Sequence, residues 1–95
     1  MAYIFIHGLG QTPESWAQVI SNMSLTEKVM CPNLPALVHG QECNYNNLYA
    51  AFCRCCETES DGMNLCGLSL GGILALNYAI DHPEKIKSLV LIGTQ

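Results

Sequence analysis

Met63-Asn64-Leu65-Cys66-Gly67-Leu68-Ser69-Leu70-Gly71-Gly72-Ile73-Leu74-Ala75-Leu76 is the stretch on which the reading of this chain turns. A short apolar run ends at Gly67, and an Ala/Leu-rich segment begins directly after Ser69 and continues to about Asp81, where His82-Pro83 stops it. Apolar residues in Met63–Cys66, bounded by a glycine, read as a buried strand, and the segment after Ser69 reads as a helix. Gly-x-Ser-x-Gly is by itself a weak signal, because loops are rich in both residue types. Flanked by a strand and a helix it becomes a specific one. A serine at such a bend projects above the sheet, and the backbone there occupies a strained part of φ/ψ space. Gly67 and Gly71, lacking Cβ atoms, let strand and helix approach on either side of the corner.

Outward from this corner, the same alternation fills the chain. Ala2–His7 is apolar up to its histidine, as a strand buried on both faces would be. His7-Gly8-Leu9-Gly10 turns the chain, and Thr12 and Pro13 open a helix to about Asn22 that carries Trp16 on its first turn. Residues 27–31 give a second strand. Pro32 and Pro35 are expected to hold the next stretch extended, with an irregular path to Asn44. Asn46 or Asn47 then caps a helix to about Thr58, Asp61-Gly62 is a turn signal, and Ser88–Ile92 is a fourth strand. A β-α-β-α-β-α-β order implies a parallel sheet with right-handed crossovers. If the first crossover goes to one side and the next returns to the other, strands one and three are neighbours. Their C-terminal ends then form the crevice where open α/β sheets bind ligands.

Composition narrows the function classes. The chain has 95 residues, 49% of them hydrophobic and 13% charged, which suits one globular domain rather than a disordered segment. Four scattered Lys and Arg residues and a net charge of -4 argue against nucleic acid as a partner. No signal-like segment and no apolar run of bilayer-spanning length is visible, so the expectation is a cytoplasmic chain with no membrane partner. The six cysteines share no repeated metal-ligand spacing, so reduced thiols are expected and no metal. The fourth strand is apolar on both faces and nothing after it covers it. Truncation, and self-association through that strand, are therefore expected.

With the motifs assembled, the chain resembles the α/β-hydrolase fold superfamily. The resemblance is carried by His7-Gly8-x-Gly10, Trp16, Gly67-x-Ser69-x-Gly71-Gly72, His82-Pro83-Glu84-Lys85-Ile86 and Ser88–Thr94. Pro32-Asn33-Leu34-Pro35 is similar to the family's Pro-Asp-Leu-Pro loop, without the Gly-His-Gly that often follows. The resemblance implies a partial α/β-hydrolase fold over residues 1–95, the N-terminal portion of a single domain, its four strands matching family strands three to six. It also implies a Ser–His–Asp/Glu triad whose acid and histidine follow the nucleophile.

Ser69 is the expected nucleophile. The oxyanion donors are expected to be the Leu70 N–H at the helix N-terminus and the Leu9 N–H from the first loop, with Gly10 as the fallback. Gly8, Gly10, Trp16 and Leu68 are the expected substrate neighbours, Trp16 and Leu68 chiefly as packing residues. His82 lies thirteen residues past Ser69, roughly 20 Å along a helix, and His39 lies in a loop, so neither suits the base. His7 is expected to brace the oxyanion loop. The chemistry that follows is acyl hydrolysis of a small-molecule substrate, of the esterase, lactonase, thioesterase or carbon–carbon bond hydrolase kind, with no metal or cofactor. An acyltransferase on the same site and a non-catalytic interaction remnant are the alternatives.

Overall fold

A computed structural model of the chain describes residues 2–59 and 62–93. Strands β1 (Ala2–Ile6), β2 (Lys28–Met30), β3 (Met63–Leu68) and β4 (Ile86–Ile92) form one sheet in the order β2-β1-β3-β4. All pairings are parallel, with Ile4 opposite Met30 on one side and Leu65 on the other, and Leu65 opposite Leu89. Strands β1 and β3 are therefore the neighbours that the alternation implied. Ile6 pairs with Gly67, so the loops leaving both strands emerge at the same end of the sheet.

Side-chain alternation assigns the two faces. Ile4, Ile6, Met63 and Leu65 point to a core closed by helix α3 (Tyr45–Cys56) and helix α4 (Leu70–Asp81), through Phe52, Cys56, Leu74 and Tyr78. Phe52 meets Tyr78 edge to face, with ring centroids 5.7 Å apart, a geometry that aromatic quadrupoles favour. On the other face Phe5 packs against Trp16, centroids 5.2 Å apart. Trp16 ends a short 3₁₀ turn, Pro13–Trp16, that leads into helix α1 (Ala17–Met23).

The expected helix at Pro13 thus begins as 3₁₀, and the Thr12 side chain makes no capping bond to its first turn. The expected extended loop after β2 is corrected by a one-turn helix α2, Leu34–Leu37. Asn33 caps it by accepting from the Ala36 N–H, and a proline in the first turn lacks only an N–H that would have had no helical partner. The residues read as breakers there are also starters. Helix α3 begins two residues early for the same kind of reason: Asn44, not Asn46 or Asn47, accepts from the Asn47 N–H at 2.8 Å. Of the expected Asp61-Gly62 turn, Asp61 lies outside the described residues, as does Thr94, and Gly62 stands at φ +96°.

Strand β4 forms one edge of the sheet and β2 the other. Val90 is 51% exposed, and Leu91 and Ile92 are also open to solvent. No helix among the described residues is long and apolar enough to cross a membrane.

Candidate active site

Ser69 stands at the corner between β3 and α4 with φ 56° and ψ −116°, outside the regions that L-residues normally occupy. Such strain costs about 1–3 kcal/mol and persists only where the surroundings impose it. Three bonds do so. The Ser69 N–H donates to the Ile92 carbonyl at 2.9 Å, tying the corner to β4. The Ser69 carbonyl accepts from the Gly72 and Ile73 N–H groups, tying it to the first turn of α4. The residue itself is exposed.

Two glycines make the corner fit. A Cβ on Gly71 would lie 2.2 Å from the Ile6 carbonyl oxygen and 2.7 Å from that of His7. One on Gly67 would lie 2.4 Å from the Gly71 carbonyl oxygen. Backbone therefore crosses backbone here, and no flexible side chain could yield. This close crossing brings the start of α4 against the end of β1.

The first loop is held from three directions. The Gln11 N–H donates to the Gly8 carbonyl, closing a turn whose third residue, Gly10, has φ +79°, as a type II turn requires. The Gln11 side chain reaches back to accept from the Gly8 N–H at 2.9 Å. His7, 2% exposed, accepts at Nε2 from the Leu34 N–H (3.1 Å), which leaves Nδ1 to carry the proton and donate to the Gly8 carbonyl (2.9 Å). The ring thus locks the loop to α2. A Cβ on Gly8 would lie 3.2 Å from the Ser69 Cβ, so loop and corner are in van der Waals contact.

Beside them opens a cavity of about 490 Å³ between the 7–11 loop, helix α2 and the first turns of α3, with Leu70 in its wall. Gly8, Leu9 and Gly10 line it. Trp16 and Leu68, expected as substrate neighbours, do not belong to its wall; Trp16 is packed on Phe5 at the opposite face. The sequence reading missed Gln11, whose role needs the loop's closed shape, the walls Val38 and Tyr45, which lie in or beside the segment read as irregular, and Leu48 of the helix that follows.

The other histidines are elsewhere. His82 caps the far end of α4 and packs tilted against Tyr78, centroids 4.5 Å apart, while His39 is exposed in the turn after α2. All six cysteines are unpaired thiols, and burial pushes those of Cys66 and Cys56 up. Among the described residues no group of three or more His, Cys, Asp or Glu could hold a metal ion.

Residues 3–95 match the model of a family described as alpha/beta hydrolase fold. The chain belongs to the α/β-hydrolase fold family. It is 35% identical over 92 residues to the pimeloyl-[acyl-carrier protein] methyl ester esterase of Aromatoleum aromaticum, a match covering 96% of this chain and 36% of that protein. It is 28% identical over 99 residues to the 2-hydroxy-6-oxo-2,4-heptadienoate hydrolase of Pseudomonas putida, covering 95% and 36%. Among solved structures it resembles the thioesterase domain from the curacin biosynthetic pathway in fold (TM-score 0.83, 24% identity, 98% of this chain and 37% of that one). It also resembles a membrane phospholipase A (TM-score 0.84, 25% identity, 99% and 32%). This α/β-hydrolase chain spans about a third of the length of the relatives it matches.

Proposed function

We propose that Ser69 is the nucleophile of a serine acyl hydrolase acting on ester-type bonds. The observation that carries this reading is the exposed serine held at φ 56°, ψ −116° against the Gly8 loop, a strained placement that packing alone has no need of. In the proposed reaction the Ser69 hydroxyl attacks the acyl carbonyl while a histidine base, oriented by a carboxylate, takes its proton. The tetrahedral oxyanion rests on the Leu70 and Leu9 amides. Leu70 begins a twelve-residue helix, so its N–H has no intrahelical acceptor and lies at the positive end of the dipole. Collapse releases the alcohol, and water then frees the acid from the acyl-enzyme.

The base and acid belong to sequence outside these 95 residues. His7 is unsuited to the task because both ring nitrogens are already engaged, and His82 is a whole helix away. Relatives named as ester hydrolases support the reaction class. Acyl transfer would use the same serine and the same amides. The cytoplasm is the proposed compartment and a small acyl compound the proposed partner.

The test is hydrolysis of a chromogenic short-chain ester by the product of the whole reading frame, by its Ser69→Ala variant, and by the 95-residue chain. The full product should turn over and the variant should lose at least about a thousandfold, with the 95-residue chain near background. Equal activity in wild type and Ser69→Ala would refute the assignment. Strong Ser69-dependent hydrolysis by the 95 residues would show that the base lies within them.

A further inference from the structure

The cavity beside Ser69 has a definite chemical character. Its volume, about 490 Å³, falls within the usual range for small-molecule sites, about 300–1,000 Å³. Leu34, Pro35, Val38, Leu48 and Leu70 supply hydrocarbon, and no Asp, Glu, Lys or Arg lines it. Several polar groups of the wall are bonded within the protein, and the Leu9 and Leu70 amides assigned to the oxyanion carry no charge. His7 is bonded at both nitrogens, and the Gly8 N–H is bonded to the Gln11 side chain. The Asn44 amide accepts from the Asn47 N–H and donates to the Glu42 carboxylate. The Tyr45 hydroxyl accepts from the Asn77 amide at 2.5 Å. A carboxylate or phosphate placed here would lose its water and gain no cation. A hydrocarbon chain loses nothing polar, and each methylene buried raises affinity about fourfold.

Position matters as much as polarity. Leu70, whose N–H is assigned to the oxyanion, and the Gly8–Gln11 loop that carries the Leu9 amide both line the cavity. A carbonyl resting on the Leu9 and Leu70 amides therefore has its carbon substituent at the cavity mouth. We infer that this cavity takes the uncharged hydrocarbon chain of the acyl group, so that the substrates are esters of neutral aliphatic acids and not of acids ending in carboxylate or phosphate. The inference rests on the assignment of Ser69 as nucleophile for the word acyl; the binding of an uncharged chain is measurable without it.

The experiment is a titration of the chain, labelled at its Leu and Val methyl groups, with octanamide, butanamide and octanoate, followed by NMR. Octanamide should shift the methyls of Leu34, Val38, Leu48 and Leu70. Butanamide, four methylenes shorter, should bind roughly 250-fold more weakly, and octanoate at least about tenfold more weakly than octanamide. Leu48→Phe should fill the cavity and weaken octanamide. Tyr45→Arg, at an exposed position on the rim, should restore octanoate to within a few-fold of octanamide. Octanoate binding as tightly as octanamide, or shifts confined to methyls outside this wall, would overturn the inference. Hydrolysis by the full reading-frame product separates the two readings: chain binding without any Ser69-dependent turnover would sink the catalytic assignment alone, whereas turnover of short esters with no preference for an uncharged chain would sink this inference alone.

Discussion

Replacing Gly71 by alanine probes the crossing on which the site depends. The new methyl would stand 2.2 Å from the Ile6 carbonyl oxygen, and contacts below 3.0 Å are essentially never seen for a Cβ. The first turn of α4 must therefore withdraw from β1 by about 0.8 Å or more, because the obstacle is strand backbone. Withdrawal loosens Leu74 and Ala75 from the core and carries Ser69 and Leu70 away from the Gly8 loop. Overpacking costs about 1–3 kcal/mol when side chains can adjust, and a clash with fixed backbone belongs at the top of that range. For a domain near this size, about 3 kcal/mol lowers the melting temperature by roughly 12–24 °C. Gly10→Ala is the control. Its Cβ meets nothing within 4 Å, so its cost is the left-handed backbone alone, about 1–2 kcal/mol. Urea or thermal unfolding by circular dichroism compares the two. A Gly71→Ala chain losing no more stability than Gly10→Ala would refute the claim that β1 and α4 cross backbone to backbone.

Three further outcomes are expected. His7→Ala should destabilise by about 2–4 kcal/mol, because the buried Leu34 N–H loses its acceptor and the ring leaves a void; a change under about 0.5 kcal/mol in urea unfolding would mean that the ring does not pin the loop. Cys43 is exposed, whereas Cys56 is buried with its thiol pushed up and hence short of thiolate, so iodoacetamide at mildly alkaline pH should label Cys43 first and Cys56 only on unfolding, as peptide mass spectrometry would reveal. The exposed apolar edge at Val90 and Ile92 should make the chain self-associate with rising concentration, and Val90→Lys should weaken this; a monomer at high concentration by light scattering would count against it.

The layout of the fold was legible because apolar strands and helices alternate with clear punctuation. Ala2–Ile6 and Met63–Leu68 announce buried parallel strands by composition, and Pro83 marks where α4 must end. The corner at Ser69 was legible because the glycines on either side of it have no other economical explanation in a strand–turn–helix setting. What stayed hidden were features made by distance in space. His7 and Leu34 are 27 residues apart, and nothing local to either indicates that an imidazole accepts from that amide. The grip of Gln11 on Gly8 appears only once the turn has closed. Helix α2 was missed because Asn33 and the adjoining prolines begin a helical turn as readily as they end a strand, and one turn is too short to show a period. The cavity followed the same rule: Val38 closes α2 while Tyr45 and Leu48 belong to α3, and only the fold sets them against Leu70.

The most direct measurement of the central assignment is covalent trapping. The product of the whole reading frame would be treated with an alkyl fluorophosphonate, digested, and mapped by mass spectrometry. A single adduct on Ser69, abolished in Ser69→Ala, is the predicted result. An adduct on another serine, or undiminished labelling of the Ser69→Ala variant, would contradict the account.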